Sequence, residues 1–357
     1  MLYREAGQFK TTYSADQALF PIAQDRVGIM LILAGAFILV PSVASNFVID
    51  SLLTPVLVLS LAAMGLNLVT GYTGLLSLGT GGFMGVGAYA CYKLTIAFPD
   101  VNIVLLILVS GFFAAAVGTL FGLPSLRIKG FYLAVATLAA QFFLSWCFIR
   151  VPWLYNYNIS ASIEVPTRSV FGIAVTGPTA TPTTRYLVVL SIVVLMTLLA
   201  SNLIRGRIGR MWMAVRDMDI AAELIGIKLY QTKLLAFAVS SFYCGVAGAM
   251  MAFLWLGSAE SESFSINQSF LVLFMVIIGG LGSLIGNFFG AALIWGLPVL
   301  LRFLPAFGLN LRAATVEHLT FMILGALIVF FLIVEPNGLA RLWQVGKQKL
   351  RVWPFPY

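Results

Sequence analysis

Apolar residues fall in ten long runs separated by polar stretches: 27–45, 51–70, 81–98, 102–123, 130–149, 186–204, 233–256, 269–283, 284–301 and 315–334. Most approach the roughly 20 residues that a helix needs to cross a bilayer. The pattern predicts an all-α, polytopic membrane protein. A polar segment, 1–26, precedes a membrane domain, 27–334, and a polar tail, 335–357, follows it. The eighth run is the shortest, and no polar break separates it from the ninth near Ser283. Two longer polar stretches interrupt the runs, at 150–185 and 205–232.

Composition supports the class. The chain of 357 residues is 61% hydrophobic and 10% charged, far below the usual quarter of charged residues in soluble domains. If the N-terminus is cytoplasmic and the runs alternate, 15 of the 21 Lys and Arg residues lie on the cytoplasmic side. That bias predicts both termini inside. The net charge of +8 suits anionic lipid and not nucleic acid. The 26-residue polar lead and the spanning length of the first run argue against a cleaved signal peptide. Cys91, Cys147 and Cys244 are scattered inside runs and read as small core residues.

What is missing narrows the chemistry. No G-x-x-x-x-G-K-[ST] loop occurs, so no nucleotide is expected through that motif. The single histidine, His318, has no second histidine with which to build a metal site. None of the thirteen carboxylates falls in the middle of a run. Carriers driven by protons or ions usually keep such groups at membrane depth. No enzyme chemistry is expected, and energy for transport would come from another subunit.

Glycines are unevenly spread. "GYTGLLSLGTGGFMGVGAY" (71–89) breaks the helical pattern at Gly71, Thr73, Gly74 and Ser77, next to Asn67 and ahead of Thr80. An interrupted helix offers backbone amides and carbonyls to a zwitterionic solute, or it serves tight packing; both readings stand. In "GGLGSLIGNFFG" (279–290), Gly282, Gly286 and Gly290 recur every four residues, which on a helix gives one groove for a close neighbour. The 150–185 stretch is either a docking surface for an external partner or a passive connection. The basic, aromatic tail "KQKLRVWPFPY" suits the membrane interface.

The stretch Arg205–Lys233 carries six basic and three acidic residues. Asp217 and Asp219 are placed to cap and charge a helix start. Ile220, Leu224 and Ile227 share a face, while Ala221 and Ala222 keep the helix slim. Gly226 is placed to end it in the left-handed conformation. A helix this short, within 217–227, is unstable alone. It needs a groove to lie in, unless the loop only sets topology by its charge. Arg216 and Glu223 are the charged groups available to a partner.

These residues resemble a known family. "AVRDMDIAAELIGIKLYQTKLLAF" (214–237) is similar to the cytoplasmic coupling loop of ABC importer permeases of the branched-chain amino-acid (LIV-type) family. "LAAMGLNLVTGYTGLLSLGTGGFMGVGAYA" (61–90), "VIIGGLGSLIGNFFGAAL" (276–293) and "EPNGL" (335–339) resemble its other signatures, in order. "YREAGQFKT" and "WPFPY" resemble the ends of the family's M-type member. Many members have His or Gln where this chain has Thr80.

The resemblance implies a bacterial inner-membrane subunit that pairs with a second permease. Two ATPase subunits would bind ATP and Mg²⁺, and a periplasmic binding protein would deliver the solute. Arg216, Asp217, Asp219, Ala221, Ala222, Glu223, Gly226 and Ile227 would engage an ATPase. Asn67, Gly71, Thr73, Gly74, Ser77 and Thr80 would line the path. Transport of urea or short amides by similar machinery, or a stand-alone facilitator, are the alternatives.

Overall fold

The computed structural model describes residues 11–12, 23–125, 132–158, 162–170, 172–301, 313–335 and 337–352. The basic residues Arg4, Lys10, Arg127, Lys129, Arg302 and Arg312 and the "WPFPY" ending lie outside the described residues.

A helix occupies every predicted run. Helix α1 extends from Ala23 to Val43 through a π-helical turn, Gly35–Leu39. Helix α2 is Asn46–Thr73, with a π turn at Ile49–Leu53. Next come α3 (Thr80–Ala97), α4 (Ile103–Ser125), α5 (Tyr132–Arg150) and α6 (Pro182–Arg205). Two short helices follow, α7 (Arg207–Asp217) and α8 (Asp219–Leu224). Helix α9 is Leu229–Leu256, and its last turn is again π-helical. The chain continues as α10 (Ile266–Gly279), α11 (Leu284–Leu301), α12 (Ala313–Val334) and α13 (Gly338–Val352).

Eight of the described helices are long and apolar enough to cross a membrane. The last two, bent by 58° at their junction, make a ninth span if taken as one. Helix α3 is not among the eight, because glycines, tyrosines and Lys93 dilute its apolar character. It is still 18 residues long, about 27 Å.

The bundle is organised around α9, which packs against α2, α3 and α4. Small residues bring the backbones together. A Cβ on Gly87 of α3 would overlap the Gly245 backbone of α9, and one on Gly245 would overlap Ala114 of α4. In lipid, close backbone approach replaces water exclusion as the force between helices. Helix α1 is peripheral. It rests Ala36, Phe37 and Val40 on Ile49, Tyr186 and Leu190, and Tyr186 donates to the Ala36 carbonyl at 3.2 Å.

Contacts decide which helix ends lie together. The ends of α2 and α10 and the starts of α11 and α13 gather with α7 at one face. At the other face the 150–185 stretch folds over the bundle. It contributes β1 (Ile163–Glu164), β2 (Arg168–Val170) and β3 (Ile173–Thr176). Strand β1 pairs antiparallel with β4 (Ser258–Ala259), and β2 pairs with β3. These short strands are the exception in an otherwise all-α membrane protein. Chain pressed onto the bundle must satisfy its own backbone, and pairing does that. Arg168 anchors the flap by donating to the carbonyls of Pro99 and, at 2.6 Å, Thr95. Lys93 meets the same stretch: its Nζ lies 4.5 Å from the Trp153 ring centre.

Candidate functional site

Helix α7 is fastened to the bundle by Trp212, which is fully buried and donates from Nε1 to the Thr232 carbonyl at 3.2 Å. Met218, in an extended conformation (φ −161°, ψ 106°), separates α7 from α8. Neither aspartate caps α8, contrary to expectation: its N-cap is Met218, which makes no side-chain cap. The carboxylates are engaged elsewhere. Asp217 closes α7 and pairs with Arg216 at 3.0 Å. Asp219 is the first residue of α8 and binds Lys233 at 2.5 Å, tying the helix to the start of α9.

The other end of α8 has the expected geometry. Gly226 has φ +88°. The Ile227 amide returns to the Ala222 carbonyl at 3.0 Å and the Gly226 amide to Glu223 at 2.9 Å, the closure of a left-handed helix stop. Ala222 is buried against the bundle, while Ala221 and Glu223 are exposed. The apolar face points away from the chain: Ile220 is 69% exposed, Leu224 83% and Ile225 74%. Ile227 is half-buried, so Ile225 takes its place on the outward face.

The second feature is a pair of helix breaks. Helix α2 ends at Gly74 (φ +71°), and the chain runs without helix to Gly79. Three amides along this run and at the start of α3 are filled from other helices. Leu78 donates to Thr137 Oγ1 at 2.9 Å, Gly81 to Ser269 Oγ at 2.8 Å and Gly82 to Gln141 Oε1 at 2.5 Å. Gln141 Nε2 in turn donates to the Phe264 carbonyl at 2.8 Å. Ser269 lies ten residues before the end of α10, about 15 Å along the helix. The start of α3 is therefore deep in the bundle. Thr137, Gln141 and Ser269 thus occupy the Leu78, Gly82 and Gly81 amides, which favours tight packing here over amides offered to a solute. The signal for these three was their polarity inside apolar runs.

The other break lies between α10 and α11. Gly280 (φ +113°) and Gly282 (φ +77°) end the helix four residues earlier than the 269–283 run predicts. Gly282 thus leaves the expected glycine groove, because its backbone is not helical. Gly286 and Gly290 do pack: a Cβ on either would overlap a carbonyl of α10, at Gly279 and Met275 respectively.

Asn67 joins the two breaks. Its Nδ2 donates to the Ser283 carbonyl at 3.0 Å and to Asn287 Oδ1 at 2.9 Å, and its Oδ1 accepts from the Gly282 amide at 2.9 Å. A Cβ at Gly71 would overlap Asn67 Oδ1 and the Gly282 amide, so glycine is required there. Of the six residues read as lining a path, Asn67, Gly71, Thr73, Ser77 and Thr80 are buried and Gly74 is exposed.

Asp50, which precedes the second run in the sequence, lies one turn inside α2 with Oδ1 buried and unpartnered. Among the described residues no group of three or more His, Cys, Asp or Glu side chains is placed to hold a metal ion.

Comparison with known proteins points to one family. The family described as the permease component of branched-chain amino acid transport systems matches residues 48–332. The high-affinity branched-chain amino acid transport system permease protein LivM of Escherichia coli is 30% identical over 346 residues, 90% of this chain and 75% of that protein. The protein of the same name from Salmonella typhimurium is 30% identical over 333 residues, 87% of this chain and 73% of its own. A probable branched-chain amino acid transport permease protein LivM of Methanocaldococcus jannaschii is 24% identical over 247 residues, 66% of this chain and 68% of its own. No solved structure matches the chain.

Proposed function

This chain belongs to the family of permease components of branched-chain amino acid transport systems, and from that premise we propose that it forms half of the pore of an ATP-driven importer. In this reading a second permease supplies the other half, and the solute is a branched-chain or related amino acid. Two ATPase subunits hold ATP and Mg²⁺, and a binding protein delivers the solute at the face covered by the 150–185 flap. Both termini are cytoplasmic, in the inner membrane of a bacterium. Residues 1–26 and 335–357 then flank the membrane domain on that side.

The observation that carries the reading is α8. A six-residue helix does not persist for its own sake. This one is anchored at Asp219 and Ala222, stopped by Gly226, and presents Ile220, Leu224 and Ile225 to the outside. Such a face suits a groove on a partner, as an amphipathic helix uses a few apolar anchors. Glu223 projects beside it and offers a carboxylate to a basic or amide donor. The 15-to-6 division of basic residues supports a cytoplasmic side for α8 in this reading, where ATP is available.

The test is reconstitution with the second permease, the ATPases and the binding protein in liposomes. Uptake of leucine that requires ATP and loaded binding protein supports the proposal. Uptake that proceeds without ATP makes the chain a facilitator, and uptake of urea with no uptake of leucine moves the solute class.

A further inference from the structure

We propose that Arg216 is a positioning residue for transport: it ties the end of α7 to the Gly71 end of α2, where Asn67 joins the two helix breaks, and carries displacement of α8 to them. The inference rests on the importer reading above, but its geometry belongs to this chain alone.

The guanidinium works in two directions. Nη1 donates to the Gly71 carbonyl at 3.0 Å, while Nε and Nη2 donate to Asp217 Oδ1 at 3.1 and 3.0 Å. Gly71 lies in the last turn of α2, where carbonyls have no helical partner and the helix end carries partial negative charge. The preceding carbonyl, at Thr70, still accepts a helical bond from the Gly74 amide at 3.2 Å. Arg216 thus adds a charge-assisted bond at the end of α2.

The same side chain lies beside both breaks. Its Cγ lies 3.2 Å from where a Cβ on Gly74 would stand, and its Nη1 3.4 Å from one on Gly282. The Gly282 amide is held by Asn67, so the end of α2, the α10–α11 turn and the end of α7 meet at one guanidinium. Lysine has no flat fork with which to serve the Gly71 carbonyl and the Asp217 carboxylate together.

The link to α8 is short. Only Met218 separates Asp217 from α8, and its extended backbone makes it the pivot. Lys233 holds the near end of α8 through Asp219. A push on the exposed face of α8 turns it about this corner and pulls on the Arg216–Asp217 pair. Breaking the bond to Gly71 removes this link between α2 and α7, so that the breaks, which Asn67 still joins, no longer follow α8. That supplies the two-state element through which a partner at α8 biases the interior.

Two measurements test the clamp. In liposomes containing the complete transporter, solute taken up per ATP hydrolysed is compared for wild type, Arg216→Lys and Arg216→Ala. The expected result is uptake per ATP hydrolysed lower by about tenfold in Arg216→Ala at whatever rate of hydrolysis remains, a typical coupling effect. Arg216→Lys should fall between the two. If Arg216 only caps α2, uptake and hydrolysis fall together and the ratio stays at the wild-type value, which overturns the proposal. Wild type that imports nothing with ATP sinks the importer reading instead.

The second measurement does not depend on transport. Thr73 is 3% exposed. Thr73→Cys, in a chain with Cys91, Cys147 and Cys244 changed to Ala, is labelled with a water-soluble maleimide. Adding Arg216→Ala should raise the labelling rate by about tenfold. An unchanged rate shows that the breaks do not need the clamp and overturns the proposal.

Discussion

Replacing Asn67 by Leu keeps the volume of the side chain and removes its three hydrogen bonds. Those bonds reach the Ser283 carbonyl, Asn287 Oδ1 and the Gly282 amide. The three stranded groups are not equivalent. Gly282 and Ser283 are only half-buried, so each is assigned about the 0.6 kcal/mol average of an interhelical bond in a membrane protein. Asn287 is fully buried, and its Nδ2 already lacks a partner. It bears the cost of an unmade buried bond, about 1–3 kcal/mol. The sum is about 2–4 kcal/mol, a melting temperature lower by at least about 4 °C at the sensitivity of large domains. Thermal unfolding of the purified chain in detergent measures it. The double variant Asn67→Leu/Asn287→Leu removes the stranded amide and should recover at least about 1 kcal/mol of the loss. A single variant that melts with wild type, or a double variant whose loss is the plain sum of the singles, refutes the role of Asn67 as the tie between the breaks. If Asn67 is instead a solute ligand in an open path, uptake falls while the melting temperature does not.

Gly286→Leu should overpack the α10–α11 contact, where even a Cβ overlaps the Gly279 carbonyl; a loss of about 1–3 kcal/mol should appear as a lower yield of assembled complex, and normal assembly would contradict the packing. Gly226→Val has open space around it but φ +88°, so its cost is backbone strain of about 1–3 kcal/mol. It should leave insertion intact and weaken co-purification of the ATPases, and ATP-dependent uptake at the wild-type rate would remove α8 from the coupling scheme. Thr181 and Gln231 are exposed at opposite faces of the bundle. A cysteine at Thr181 should react with an impermeant thiol reagent in intact cells and one at Gln231 should not; the reverse pattern inverts the orientation.

Several features were legible in the chain because they are local. Whether a run crosses the membrane depends on its length and apolarity, since every backbone group of a helix is satisfied within the run itself. The ten runs each became a helix for that reason. Ala221, Ala222 and Gly226 marked the short helix in the same way, because a left-handed stop needs only a glycine and the turn before it. What tertiary structure decided was the partner of each polar group. The Gly71 carbonyl meets a guanidinium 145 residues away, the Gly82 amide an amide oxygen 59 residues away and the Gly81 amide a hydroxyl 188 residues away. Asp217 and Asp219 look like helix caps until Arg216 and Lys233 are seen to hold them. Gly282 fits a four-residue rhythm until the α10–α11 turn, held by Asn67 at the Gly282 amide, takes it out of the helix. Periodicity describes how a segment repeats along its own axis. It says nothing about which neighbour packing will bring within hydrogen-bond distance, and in a bundle sealed from water that neighbour determines where each polar group finds its partner.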